Sequence, residues 1–343
     1  MSTQTETQTI KVDYLKTIGI VNNGDNGRGF TNPYDLAVTK DNRIFVLNRC
    51  DPGRPAAIRI GICNLDEEYL GEFSYGSGSG DGQLRWPVAI AFDSKERVFI
   101  TDEQNHRISI YDSSGAFLSK WGVPGSGEGE VNGPAGIAIN GDDNVFVVDQ
   151  HNHRVQKFTA DGAYLLGWGE FGSAQGQFNL PWGIAVDPAG DVYVADWRNN
   201  RIQKFDGNGQ FLTSYGTHGN GEGEFDRPSG VAVDTEGYIY VSDWGNERLQ
   251  ILGPDGNFQL SIRGQATLSK WADEYFMSNP EEKSERDKAD LFPELPAHLN
   301  TPYHISSQTE PYFWGPVSVS LDREGRIYVT EANRHRFQVY QKR

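Results

Sequence analysis

The stretch VYVADWRNNRIQKF, residues 192–205, decides the fold, because the chain repeats it. VFITDEQNHRISIY (98–111), VFVVDQHNHRVQKF (145–158), IYVSDWGNERLQIL (239–252) and IYVTEANRHRFQVY (327–340) keep its order: an apolar run, an acid, a polar turn, an Arg and a second apolar run. Repetition at a steady period marks an architecture whose units are too small to bury their own faces and must stack on neighbours.

Each copy opens with a proline and a short strand: PYDLAVT (33–39), PVAIAFD (87–93), PAGIAIN (134–140), PWGIAVD (181–187), PSGVAVD (228–234) and PVSVSLD (316–322). The six prolines stand 54, 47, 47, 47 and 88 residues apart, where a four-stranded propeller blade takes about 40–45. Two spacings therefore contain insertions. In the fourth copy GIAVD, VYVAD, RIQKF and GQFLTSYG are strand-length runs between Pro, Gly, Asn and Asp turn signals. Gly183 and Ala185 alternate with Trp182, Ile184 and Val186, a pattern for a strand with both faces packed. Residues 13–33 match 163–181, an outermost strand and the loop into the next blade, whereas the sixth copy stops at Tyr340 without such a strand. Residues 12–19 are expected to supply it. The reading is one all-β domain over residues 1–343: a six-bladed β-propeller of four-stranded blades, its ring closed by the N-terminal strand joining the last, C-terminal blade. Residues 264–312 form an insertion between the fifth and sixth repeats.

Composition agrees. Forty Gly, 16 Pro and 12% aromatics among 343 residues suit short strands and tight turns. A formal charge of −16 repels phosphate backbones and works against nucleic-acid partners. The polar N-terminus MSTQTETQTIKVD has no secretory apolar core, and no run approaches the ~20 apolar residues of a membrane helix. The expectation is a cytoplasmic protein with no membrane association. Cys50 and Cys63 are the only cysteines; they fall in one repeat and could pair, but make no disulfide framework.

The pattern P-x-G-[IV]-A-V-D followed by [VI]-Y-V-x-D-x-x-N-x-R-[IV]-Q-x-F resembles the NHL repeat family of propellers, over nearly the whole chain except 264–312. The resemblance implies the propeller fold but not one activity, since such propellers include lyases, lactonase-like hydrolases, RNA-binding modules and protein-binding scaffolds. It also implies a ligand site on the face where the inter-blade loops and the turns between second and third strands open. Amidating lyases of this class carry metal-binding His near the starts of inner strands. This chain has Tyr34, Val88, Ala135, Trp182, Ser229 and Val317 there, which argues against a zinc lyase of that type. Gluconolactonase-like relatives hold a divalent ion with Glu, Asn and Asp, for which Asn48, Glu103 and Glu331 are the candidates, with calcium the candidate ion.

Comparison among the copies separates scaffold from site. The repeated Asp102, Asp149, Asp196 and Asp243, five residues before Arg107, Arg154, Arg201 and Arg248, read as charge-assisted pairs holding the turn. Asn105, Asn152, Asn199 and Asn246 read as turn residues, and His106, His153 and His335, sharing one place in the turn, as packing. The position after the acid varies: Arg49, Glu103, Gln150, Trp197, Trp244 and Ala332. With the post-proline residues it should ring the channel mouth. The first copy puts Asn48 in place of the acid, lacks the paired Arg and inserts RCDPGRPAA (49–57); the long insert falls beside it once the ring closes. In that insert ATLSKWADEYFM reads as a short helix, NPEEKSERDKAD as a solvated charged face, and Tyr303, His304, Tyr312, Phe313 and Trp314 as a crowded aromatic group, which together suit a lid over the mouth or a rim contact.

The candidate acid/base groups are His304, His151, Glu103, Tyr34, Asp35 and Glu331, with Arg49 as anion or oxyanion partner. Trp182, Trp197, Trp244, Gln150, Tyr303 and Trp314 are the candidate substrate-binding residues. No nucleophile elbow, phosphate-binding loop or dinucleotide fingerprint occurs. The expected function is a small-molecule lyase, hydratase or lactone-type hydrolase acting at the mouth. The alternative is a protein- or peptide-binding scaffold, with RNA binding disfavoured by charge.

Overall fold

The computed structural model describes residues 10–22, 27–49 and 57–343. Six antiparallel four-stranded sheets are arranged as blades. In blade 4 the strands run Ile184–Val186, Val192–Asp196, Arg201–Phe205 and Phe211–Tyr215, in chain order from the axis outward. The second strand of every blade is buried along its length in blades 1 to 5, because both faces pack on neighbouring sheets. Ile108, Val131, Val145 and Phe158, for example, form one cluster between blades 2 and 3.

The ring closes as the repeats require. Val12–Ile18 is the outermost strand of blade 6, paired antiparallel with Arg336–Lys342. Thr17 and Ile18 are buried, and Tyr14 meets Tyr340 edge-on at 5.6 Å. Closure removes the ring's free seam, the general answer to exposed sheet edges.

At the axis the inner strands approach backbone to backbone. The Gly136 N–H donates to Trp182 O at 2.9 Å, and a Cβ on Gly136 would lie 2.5 Å from that oxygen. A Cβ on Gly183 would lie 2.5 Å from Ser229 O. The Gly of the P-x-G motif is thus fixed by close packing around the channel.

The insert is helical: α1 Lys270–Ser278, α2 Pro280–Lys288 and α3 Pro302–Gln308. Ser269 caps α1 by accepting the Ala272 N–H. Trp271, 1% exposed, packs on Phe30 at 5.6 Å, and Ser269 Oγ donates to Gly19 O, so α1 docks on the seam of blades 6 and 1. No side chain of α2 is buried, as its charge run implies. α3 packs against the Trp244–Asn246 turn of blade 5, and Arg334 holds its C-terminal end by donating to Ser306 O and Ser307 O.

One sequence expectation needs correction. Blade 1 does keep its Arg: Arg59 faces Asn48 across the strand pair, displaced in sequence by the inserted turn. Being opposite an amide, Arg59 takes Glu72 as its carboxylate, at 3.1 Å. Cys63 is buried and free, while Cys50 lies outside the described residues. No helix among those residues is long and apolar enough to cross a membrane.

Candidate functional site at the channel mouth

In blades 2 to 6 the mouth is held by an acid at the end of the second strand, where blade 1 has Asn48. In blade 4 Asp196, fully buried, accepts from Asn179 N at 2.8 Å, Asn199 Nδ2 at 2.9 Å, Arg201 Nε at 2.9 Å and Gln203 Nε2 at 3.2 Å. Asp149 and Asp243 repeat this set, and Glu331 repeats its Arg and Gln parts through Arg336 and Gln338. The acid therefore joins turn, third strand and incoming loop in one charge-assisted network. Sequence reading found the acid, Asn and Arg but gave no role to the buried Gln, which also donates to a loop carbonyl. Blades 1 and 2 have Gly61 and Ser109 at that place.

A second device couples neighbouring blades. In blades 2 to 6 the residue before the Arg is left-handed, as at His153 and Asn200 with φ 55°, and its side chain accepts a backbone N–H from the next blade. His106 Nδ1 takes Gly133 N at 3.1 Å, His153 Nδ1 takes Leu180 N at 3.1 Å, Asn200 Oδ1 takes Arg227 N at 2.8 Å, Glu247 Oε2 takes Gly315 N at 2.6 Å, and His335 Nδ1 takes Asn32 N at 2.9 Å. The packing role read for the three His is specifically this bond. Burial lowers the pKa of both His153 and His335, as an acceptor nitrogen requires.

Burial pushes the Glu247 carboxyl up to about 8, with the charge of Glu331 adding to it and the Gly315 N–H opposing. An acid raised in the folded state keeps a proton that the unfolded chain releases above about 4.5, so it costs stability increasingly from pH 4.5 to 8. Glu247→Gln keeps an acceptor for Gly315 and removes that cost. Thermal melts should show the variant more stable than the parent at pH 8 and equal to it at pH 5; equal melting at both would refute a buried, raised carboxyl.

On this frame sits an aromatic box. Tyr34, Trp182, Trp197, Trp244, Ser229 and Val317 line a cavity of about 100 Å³. Tyr34 and Trp182 lie 6.3 Å apart at 52°, Trp197 and Trp244 6.4 Å apart at 48°. Tyr34, Trp182, Ser229 and Val317 also line the channel lumen beneath, a void of about 120 Å³ that contains Asp35. Asp35 Oδ2 accepts Ile90 N–H at 3.0 Å, and burial lifts its carboxyl to about 6.

Arg49 forms the polar edge of the box. Its guanidinium lies 4.4 Å from the Tyr34 ring centre and 5.3 Å from that of Trp86, and pairs with Glu103. Its Nη1 is buried without a hydrogen-bond partner among the described residues. Arg198 and Arg227 stack on Trp197 and Trp244 at 5.5 and 5.0 Å, and Arg227 pairs with Asp226. Sequence reading missed Trp86 and Arg227; both stand just before a repeat proline, a position whose variation among copies would have exposed them.

The other candidates separate. Gln150 is buried in its turn, and His151 lies against Gly133, where a Cβ would come within 2.5 Å of its ring. His304 Nδ1 meets Thr301 Oγ1 at 2.8 Å on α3, and Tyr303 touches both His304 and Trp314. Asn48 Oδ1 accepts the Thr31 N–H, and its Nδ2 donates to Val46 O and Arg59 O. Glu331 is engaged by Arg336, Gln338 and Trp314 N. Asn48, Glu103 and Glu331 thus each serve protein partners, and no group of three His, Cys, Asp or Glu gathers among the described residues.

The NHL repeat signature matches residues 131–158, 178–205, 225–252 and 313–340. These are the four blades with the complete acid, Arg and Gln network. A 43-residue stretch is 46% identical to protein lin-41 of Caenorhabditis elegans, covering 12% of this chain and 4% of that protein. Among solved structures, a streptogramin B lyase aligns at 12% identity and TM-score 0.57, over 97% of this chain and 98% of that one. A catalytically inactive virginiamycin B lyase from Staphylococcus aureus with quinupristin aligns at 14% and 0.57, over 97% and 99%. A Bacteroides thetaiotaomicron protein of unknown function aligns at 16% and 0.63, over 97% and 76%. At such identities the likeness is one of fold. The chain is a six-bladed β-propeller carrying NHL repeats in four of its blades.

Proposed function

We propose that the protein is a small-molecule enzyme of the lyase or hydratase type, with lactone hydrolysis as the neighbouring chemistry, working at the channel mouth. The observation that carries this reading is the aromatic box opening on the lumen, an apolar concavity edged by few polar groups. In this reading Arg49 receives an anionic group or developing oxyanion through its Nη1, which has no partner among the described residues. Glu103, held by Arg49, accepts a proton. α3 packs on the Trp244 turn; in this reading its His304 serves as a second acid/base group and the insert as a lid. The lyase names among the structural neighbours are compatible with this chemistry and belong to those proteins.

A binding scaffold for a protein or peptide is the second reading. It is favoured by the exposed apolar side chains of the insert, Tyr275, Met277, Phe292 and Tyr303.

A thermal-shift screen against lactones, hydroxy acids and aromatic metabolites, with turnover assays on each hit, tests the first reading. Arg49→Ala, Glu103→Ala and His304→Ala should cut binding or turnover by about tenfold or more, the scale of one lost charged contact, while leaving the melting temperature within a few degrees. Loss of stability without loss of ligand response would assign these residues to the scaffold.

A further inference from the structure

The four box rings are not arranged as a slot. A flat aromatic ligand is best received between near-parallel faces, but the two pairs here are tilted at 52° and 48°. Tilted rings around one small cavity do not clamp a flat ligand, and aromatic faces lining such a cavity suit a rounded cationic group. The cavity, about 100 Å³, has room for one compact head. Below it the lumen holds the carboxyl of Asp35, in a protein of formal charge −16. At its edge the Tyr34 ring is shared with Arg49, whose Nη1 lacks a partner among the described residues.

Resting on the mouth site proposed above, we propose that its ligand is a compact zwitterion, with an alkylammonium head in the box of Tyr34, Trp182, Trp197 and Trp244 and an oxyanion on Arg49. Arg49, Arg198 and Arg227 do not contradict a cationic head. None of them lines the cavity, and Glu103 and Asp226 offset two of the three. Asp35 lines the lumen and not the box, so it adds negative charge beneath the head without touching it.

Calorimetric titration of the intact protein with carnitine, choline and 3,3-dimethylbutyrate separates the two charges. Carnitine carries both, choline lacks the oxyanion, and 3,3-dimethylbutyrate keeps the bulk and the carboxylate but is uncharged at the head. Carnitine should bind about tenfold or more tightly than either single-charge probe, the scale of one cation–π or one guanidinium contact. Trp197→Leu and Trp244→Leu, which keep apolar bulk without the ring face, should weaken carnitine about tenfold and leave 3,3-dimethylbutyrate unchanged. Arg49→Ala should bring carnitine down to the affinity of choline. Phosphorylcholine offered free and as phosphatidylcholine vesicles distinguishes sources: binding of the free compound supports a soluble zwitterion, and binding of vesicles alone overturns it. Equal affinity for carnitine and 3,3-dimethylbutyrate would overturn cation recognition while leaving the mouth site standing. No binding of any probe would overturn the zwitterion, and only an empty thermal-shift screen as well would remove the site.

Discussion

A chain lacking residues 1–18 is expected to lose its cooperative fold. The deletion removes the strand Val12–Ile18 from blade 6, and with it the buried side chains Ile10, Thr17 and Ile18. At about 1.5–3 kcal/mol for each buried aliphatic side chain, with Val12 and Tyr14 adding partial burial against the cluster that holds Ile10, the loss is about 5–8 kcal/mol. That is comparable to the whole stability of an ordinary domain, about 5–15 kcal/mol. The deletion also bares Arg336–Lys342 as a free edge that can pair with a second molecule. Circular dichroism should show a melting transition lowered by more than about 15 °C or absent, and gel filtration should show association. Adding a synthetic peptide of residues 10–20 should restore part of the transition by re-forming the edge. A truncated chain that melts like the parent would mean the ring does not depend on this strand for closure.

Asp196→Ala should be the most damaging single substitution in blade 4. Four donors lose their acceptor at once, and the guanidinium of Arg201, only 13% exposed, loses its carboxylate. Breaking such a buried pair from one side costs about 3–5 kcal/mol, or about 5–10 °C in a protein of this size. Asp196→Asn, which keeps an acceptor but not the charge, should fall between. The neighbouring Trp197→Leu should leave the melting temperature nearly unchanged, because Trp197 lines the box and takes no part in the network. The contrast between adjacent residues is the useful readout. If Trp197→Leu destabilises as much as Asp196→Ala, the tryptophan is blade packing and the box loses its strongest wall.

Much of the site was legible in the sequence because the chain repeats itself. Asp102, Asp149, Asp196 and Asp243 recur at one register, so a shared structural duty explains them. Trp197 and Trp244 break the register pattern of Glu103 and Gln150, so a local duty does. The same comparison places Tyr34, Trp182 and Arg49 at the mouth. It went astray where register was disturbed. The inserted residues move Arg59 away from the spacing that marks the Arg in the other blades. The buried Gln went unassigned because spacing gives no sign of which polar side chain turns inward.

What the sequence by itself determined is the architecture: the period of the repeat, the number of blades, the completion of blade 6 by residues 12–19, and the acid–Arg pairs that hold the turns of the regular blades. These follow from local patterns, since strand alternation and turn chemistry act over a few residues and the repeat multiplies them. What only the tertiary structure decided is the chemistry at the axis. Tyr34 and Trp182 lie far apart in the chain, as do Arg49 and Glu103, and they meet because ring closure brings different blades to one mouth. The tilt of the rings, the unpartnered Arg49 nitrogen and the carboxyl of Asp35 beneath them depend on distances across that ring, which no local pattern encodes.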